Sequence, residues 1–366
     1  MNNKTGLPLD TGAWYSKDGP DNDVVLSTRV RLARNLVNYP FPHSFKGDDG
    51  ERVCALVFDA FANIPEAENF QNVALRNLEP MGQHILIERG VVTSDIVSQP
   101  NSGVIVRMDG YVSCTVNCVD HVRLSSFLPG FQGQKAFEVL QKLDSELQKK
   151  LQFAASKEFG FLTSNLKDCG SALKLSYIVH LPSIINSGVF DRVFKDFMAR
   201  GFSITGYYGS LGDSGTSLGS YYEISNSGSL EGNEQNQIAS VNAAVENIIE
   251  IERKKRAEIA DNKPTTIHDS VFRALALIKY SSFIGSREGI DLLARIKWGL
   301  DMKLISGITD TEILALLYRI QPAHLQYLIR TTELTWEKDI TNQEEKVDRL
   351  RSIVMKECLE NIRIDG

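Results

Sequence analysis

The sequence predicts an α+β chain in which a strand-rich domain precedes a helical one, on three observations. Short runs rich in β-branched residues recur between about 84 and 226, separated by Gly, Asn, Asp and Pro signals. After Asp261-Asn262-Lys263-Pro264 the strand signals thin out and apolar residues recur at helical spacing. The 366 residues suffice for roughly two domains at about 150 residues each. A mixed domain over 21–260 and an all-helical domain over 261–366 are therefore expected.

The elements follow in order. A polar entry segment, 1–22, ends in Gly19-Pro20-Asp21, and VVLSTRVRLARN (24–35) is extended. A helix is expected near 49–72, then strands at HILIERG (84–90), GVIVRMDG (103–110), YVSCTVN (111–117) and HVRLSSF (121–127). Asp109-Gly110 makes a hairpin of two of these, because both residues tolerate φ > 0. Apolar residues at 136, 137, 140, 143, 147 and 151 place a helix over 133–152. LKLSYIVHLP (173–182) is a strand stopped by Pro182, and SYYEISN (220–226) is another. Between them, 205–219 carries glycines at 206, 209, 212, 215 and 219. A long helix over 233–260 bears the stripe Ile238, Val241, Val245, Ile248 and Ile251. Its Arg253-Lys254-Lys255-Arg256 run reads as a solvated helix end.

Composition narrows the class. With 42% hydrophobic and 23% charged residues the chain is too apolar to be disordered. Forty-six acids against 40 bases give −6, which argues against a nucleic-acid binder. No stretch is long and apolar enough for a membrane span, and the start lacks the apolar core of a signal peptide. Five scattered cysteines do not make a secreted disulfide framework, so a cytoplasmic protein is expected.

The residues that suggest chemistry lie mostly on strands. Arg29 and Arg31, two apart, share a face with Val30 on the other side. Paired guanidiniums repel unless an anion lies between them, and their planar forks suit phosphate oxygens. The alternative is an exposed strand paired with acids elsewhere. Asp120-His121-Val122-Arg123 adds a second cluster, and the glycine-rich 205–219 could wrap a phosphate with backbone N–H groups. It is not a P-loop, since no Gly-Lys-Ser/Thr follows, and no strand–GxGxxG–helix unit occurs. Cys114 and Cys118, without a second pair, do not read as a zinc site, and no metal site is expected. His180 reads as a buried or edge strand histidine, and Trp298 and Trp336 as core anchors.

Four segments together resemble the ATP:guanidino phosphotransferases, the phosphagen kinases, and within them the bacterial protein-arginine kinases. They are VVLSTRVRLARN (24–35), NCVDHVRLSSFLPGFQ (117–132), GFLTSNLKDCGSALKLSYIVHLP (160–182) and TGYYGSLGDSG through YYEISN (205–226). The resemblance implies a curved antiparallel sheet flanked by helices, of the glutamine synthetase/guanidino kinase-like type, with ATP and Mg²⁺ as cofactors. It implies an ATP site at Ser27, Thr28, Arg29, Val30, Arg31, Arg123, Lys174, Leu175, Ser176, Thr205, Gly206 and Gly209. It also implies protein contacts: a zinc-binding activator protein, a Clp-type unfoldase or protease, and a possible homodimer.

The departures from that family lie at the chemistry. Its Asn-Glu-Glu-Asp-His reads Asn117-Cys118-Val119-Asp120-His121, so Val119 stands where the catalytic glutamate belongs. Its reactive cysteine is Asn165, with Cys169 four residues later. One phosphate arginine is Lys174, which keeps the charge without the fork, and another is Thr205. The second substrate glutamate is Ser210, and a histidine expected after residue 89 is Gly90. The C-terminal Arg-Asp-x-x-Arg-Ala mark of a phosphoarginine pocket is not kept in Gln343–Asp348. The expected protein is a catalytically impaired, pseudokinase-like homologue that retains part of the ATP-phosphate site. It would act through protein contacts in protein quality control. The alternative is an active kinase for protein arginine or another guanidino acceptor, with Asp120 or Asp168 serving in a rebuilt site.

Overall fold

The computed structural model describes residues 11–209, 217–230 and 232–365. In chain order the first part holds β1 (Val25–Arg34), α1 (Asp49–Ala62), β2 (Phe70–Ala74), α2 (Pro80–Glu88), α3 (Ser94–Val97), β3 (Gly103–Arg107), β4 (Val112–Val116), β5 (Val122–Pro129) and α4 (Gly133–Gln148). It continues with β6 (Ala155–Ser156), β7 (Gly160–Phe161), β8 (Leu173–His180), α5 (Pro182–Asn186), α6 (Phe190–Ala199), β9 (Phe202–Gly206), β10 (Tyr221–Asn226) and α7 (Glu234–Asn262). The rest is α8 (Pro264–Tyr280), α9 (Ser286–Asp301), β11 (Ile305–Ser306), α10 (Asp310–Arg319), α11 (Pro322–Thr331), α12 (Gln343–Cys358) and β12 (Arg363–Ile364).

Eight strands form one sheet in the order β2-β3-β4-β5-β1-β8-β10-β9, and the pairings are antiparallel. Period-two alternation splits its two faces chemically. Val30, Leu32, Leu124, Leu175, Tyr177 and Ile224 turn to one side and pack with Val57 of α1, Leu140 of α4 and Val245 of α7 in one core. The opposite face carries most of the polar strand residues and positions the candidate site. A second core gathers the C-terminal helices around Leu293, Leu316 and Val354, and takes in Trp14, Phe127 and Tyr221 from the sheet side. Trp298 is buried there and Trp336 packs partly against it, as expected of core anchors.

Most expected elements are present, and the Asp109-Gly110 hairpin joins β3 to β4 with Gly110 at φ +72°. Several differ. HILIERG is helical, not a strand. Pro80 opens α2, where its missing N–H costs nothing, and Gly90 closes it at φ +69°. The Gly90 and Val91 N–H groups bond back to the Ile87 and Leu86 carbonyls, both at 2.9 Å, a Schellman close. The helix near 49–72 stops at Ala62, before Pro65 restricts the chain, and its last residues belong to β2. Strand β9 lies outside the sequence expectation, and β11 pairs with β12 inside the helical C-terminal part. The basic run is solvated only in part: Arg253 and Lys254 are exposed, but both arginines are held by aspartates. The helix continues to Asn262, while Arg253 donates to Asp21 and Asp23 at 2.8 and 3.0 Å and Arg256 to Asp23 at 2.9 Å.

Candidate functional site

The polar face of the sheet assembles the site. Strand β1 turns Arg29 and Arg31 to it, between Phe127 and Ser125 of β5 and Ser176 and Lys174 of β8. Arg123 stands opposite Ala33, and Thr115 of β4 opposite Arg123. On the other flank, Glu223 of β10 faces Thr205 of β9. Four basic side chains from three strands thus share one face, although 145 positions separate Arg29 from Lys174 in the chain.

Their partners are few. The Arg29 guanidinium lies 4.8 Å from the Phe127 ring centre and donates to Ser125 Oγ at 3.5 Å. Arg31 stands 3.8 Å from the Glu223 carboxylate, and Arg123 donates to Asp120 Oδ2 at 3.3 Å. Lys174 forms no ion pair among the described residues, though the fields of Glu223 and Asp168 reach it. The buried Nε atoms of Arg29 and Arg31, with Ser113 Oγ and Thr115 Oγ1, lack hydrogen-bond partners. Burial and the adjacent Arg29 pull Arg31 down to about 9, and burial followed by the Arg31 charge lowers Lys174. Burial pushes the Glu223 carboxyl up, but the Arg31 and Arg29 guanidiniums outweigh it and hold the group below its ordinary range. Crowded cations of depressed pKa with unmet donors form a surface suited to an oxyanion.

Other sequence candidates lie elsewhere. Thr28, Val30 and Leu175 are buried on the core face. The Thr28 hydroxyl donates to Gly130 O at 2.6 Å and accepts from Gln132 N at 2.9 Å, which ties β1 to the start of α4. Ser27 and Ser176 lie on the site face, Thr205 is exposed on edge strand β9, and Gly206 ends that strand. Gly209, at φ +85°, closes the described part of the glycine loop, and Ser210 lies outside the described residues.

The acceptor end is built from the β4–β5 turn and the segment 163–170. Asn117 holds φ +56° and its amide donates to Gly50 O and Asn101 O, which fixes the turn. Val119 is 38% exposed at its tip, and its carbonyl accepts from Ser164 Oγ at 2.6 Å. Cys118 is buried in a separate apolar cluster, which pushes its thiol up to about 11. Asp120 is buried and occupied: Oδ1 accepts from Asn35 Nδ2 and Ser164 N, both at 2.8 Å, and Oδ2 from Arg123. His121 Nδ1 accepts from Leu36 N at 2.9 Å, so this histidine is structural. Asn165 caps a short turn through Lys167 N and donates to Asp168 Oδ2 at 3.2 Å. Cys169 is buried against Thr163, 3.5 Å from its hydroxyl, and does not replace a reactive thiol at 165. A cleft of about 320 Å³ lies over Arg31, Arg123 and Lys174, with Asn165, Asp168 and Ser203 in its wall. No group of three metal-ligating side chains occurs among the described residues.

Sequence reasoning missed Glu223 and Phe127 as site residues. Alternation in YYEISN sets Glu223 opposite its apolar neighbours, but its meeting with Arg31 needs the β1–β8–β10 register. In the C-terminal part, Asp348 pairs with Arg351, whose buried guanidinium also donates to Ile284 O at 2.7 Å and Ile320 O at 2.9 Å. That arginine holds helices together.

Residues 52–255 match the family model described as "ATP:guanido phosphotransferase, C-terminal catalytic domain", and 264–365 match "Protein-arginine kinase McsB C-terminal domain". A protein-arginine kinase of Pelotomaculum thermopropionicum is 30% identical over 89% of this chain and 92% of its own. Those of Syntrophomonas wolfei and Halothermothrix orenii are each 31% identical, over 86% and 90% of this chain and 88% and 94% of theirs. Among solved structures, a lombricine kinase superposes with a TM-score of 0.58 at 18% identity, over 70% of this chain and 74% of that one. The duplicated taurocyamine kinase of Schistosoma mansoni gives 0.57 at 18%, over 77% and 41%.

Proposed function

We propose a reading whose premise is family membership: the chain belongs to the ATP:guanido phosphotransferase family. In this reading a catalytic domain over 21–260 keeps the means to hold ATP phosphates and has lost most of its capacity to phosphorylate arginine. The observation that carries it is Val119, an exposed apolar side chain at the tip of the β4–β5 turn. Two carboxylates near the cationic face are engaged already, Asp120 by Asn35, Ser164 and Arg123, and Glu223 by Arg31.

A guanidinium with a pKa above about 12 is a poor nucleophile until a carboxylate orients it and takes a proton. Binding a polyphosphate needs no such base. Arg29 and Arg31 would take its oxygens on their unmet Nε donors, with Arg123 and Lys174 beside them and Ser27 and Ser176 along the track. Mg-ATP supplies the transferable phosphoryl group, and its metal would arrive with the phosphates. The helical domain over 261–366 would serve protein contacts in the bacterial cytoplasm, in protein quality control. The candidate partners are a zinc-binding activator protein, a Clp-type machine and a second copy of the chain.

The test incubates the full chain with Mg-ATP and an arginine-rich protein and measures acid-labile phosphoarginine by mass spectrometry. Product should fall on the order of 10²-fold or more below that of an intact kinase. Calorimetry should still show ATP binding, weakened about tenfold or more by Arg31→Ala. Robust phosphoarginine overturns the reading. One observation favours the alternative of an active kinase for protein arginine or another guanidino acceptor: Asp168 lines the cleft beside Lys174. In that case turnover is present and Asp168→Asn removes it.

A further inference from the structure

We infer that two copies of this chain join through the outer edge of β2, which pairs antiparallel with its counterpart about a two-fold axis at Asn72. The sheet would then run unbroken through both copies. This contact lies on the catalytic domain and goes beyond the protein contacts proposed for the helical one.

The backbone sets the register. Strand β2 ends the sheet, with β3 as its one neighbour among the described residues. Met108 N donates to Asn69 O and Leu75 N to Ser102 O, both at 3.0 Å. By antiparallel alternation the odd positions of β2 bond to β3, and Phe70, Asn72 and Ala74 turn their peptide groups away from it. The Phe70 N–H is taken by Ala67 O, which leaves its carbonyl free to accept. A second β2 centred on Asn72 meets this set group for group. Asn72 exchanges two hydrogen bonds with the partner's Asn72, and the Ala74 N–H of each copy reaches the partner's Phe70 carbonyl. A centre at Gln71 would instead set Asn72 against the occupied Phe70 N–H.

Charge selects the same centre. Four positions before and after Asn72 stand Glu68 and Arg76, so each exposed glutamate faces the partner's Arg76. Between them β2 reads FQNVA, without charge, proline or bulge, and so lacks the devices that keep free edges apart. The opposite edge strand, β9, borders the cleft through Ser203, and centring it on Ile204 sets Arg200 against Tyr208.

Helix α1 adds the area that a short strand pair lacks. The Phe61 and Phe70 ring centres are 5.6 Å apart, and Phe58 and Cys54 crowd Gly103, so α1 runs over β2 and β3. Strands about 4.8 Å apart would bring the two α1 helices to about 10 Å, an ordinary packing distance. The side of α1 toward the edge is low. Glu51 reaches Arg76 at 3.5 Å, Ala62 lines a groove beside Asn72, and Ala55 on the same stripe is exposed. That groove, about 590 Å³ over Phe61, Phe70 and Ile105, gives the partner's Asn72 and Ala74 room.

Sedimentation equilibrium of the full chain should show a reversible dimer with a Kd on the order of 10 μM, as suits a contact of this size. Asn72→Pro removes a donor that β3 does not use. It should weaken the dimer about tenfold or more and leave the thermal melt and the ATP titration unchanged. Glu68→Arg, which sets like charges face to face, should weaken it too, and Glu68→Arg with Arg76→Glu should restore it. Asn72→Cys should give a disulfide-linked dimer with oxidised glutathione as the oxidant, since hydrogen-bonded opposites stand about 5.5 Å apart at Cα. Gln71→Cys, opposite the partner's Val73, should not. A parent chain that stays monomeric at about 100 μM, ten times that Kd, overturns the inference. So does a dimer that Asn72→Pro leaves intact, which would place the contact elsewhere. Neither result touches the phosphoarginine assay, so the proposed function stands or falls separately.

Discussion

Val119 concentrates the functional question in one side chain. It stands on a turn held in place by Asn117 and Ser164, and its side chain is open enough to accept a longer replacement. Val119→Glu should therefore change stability by no more than about 0.5 kcal/mol. The new carboxylate would sit on the turn next to Asp120 and Arg123. Phosphoarginine formation, read by mass spectrometry, should then rise on the order of 10²-fold. A well-folded variant with no rise would show that the missing carboxylate is not what limits turnover. The arginine pair was legible at this scale because a strand's period of two needs only local sequence. The same parity turns Thr28, Val30 and Leu175 into the core, so membership of a nucleotide-binding segment did not tell which side chains reach the site. Glu223 was illegible for another reason: its pairing with Arg31 depends on strands far apart in sequence.

Between elements, carboxylates close helices they do not belong to. Glu252 of α7 accepts from Ser183 N and Ile184 N, both at 2.9 Å, and so caps α5 from outside. Glu88 does the same for α11 through Ala323 N at 2.6 Å and His324 N at 3.1 Å, joining α2 to the C-terminal helices. Such caps leave no local signature, since the capping residue is far from the Ncap position that a sequence reading inspects. Glu252→Ala should cost about 1–3 kcal/mol in urea unfolding, because two buried N–H groups lose their acceptor. Glu252→Gln should cost less, since its amide oxygen can still accept. Equal losses would mean that packing, not capping, fixes the junction. Misread elements have similarly physical causes. HILIERG has the composition of a strand, but Pro80 and Gly90 punctuate it as a helix. The basic run of α7 has the look of a solvated end, and its aspartate partners lie more than 200 positions earlier.

At the scale of the molecule, those aspartates belong to a charged seam between the sheet and the C-terminal helices. Arg256 of α7 reaches Asp23 and Asp301, and the buried Lys297 of α9 pairs with Asp301 and with Asp310 of α10. His180 ends β8 at this seam, fully buried and stacked on Tyr221 at 4.7 Å. Burial, then the charges of Lys297 and Arg256, holds its imidazole neutral, with a pKa well below the ordinary 6.5. Above about pH 6.5 the ring is neutral in both folded and unfolded chains and adds no pH dependence. Below that the unfolded chain takes up a proton that the folded chain refuses, so stability falls as the solution is acidified. His180→Phe keeps a ring against Tyr221 and removes the titration. His121, also lowered by burial, titrates equally in both proteins and cancels from their difference. Urea unfolding at about pH 7.5 and about pH 5.5 should show the variant gaining about 1.4 kcal/mol on the parent over that interval. Parallel curves would mean that His180 already carries a proton in the folded seam, leaving Asp301 and Asp310 to balance one more cation than Lys297 and Arg256 supply.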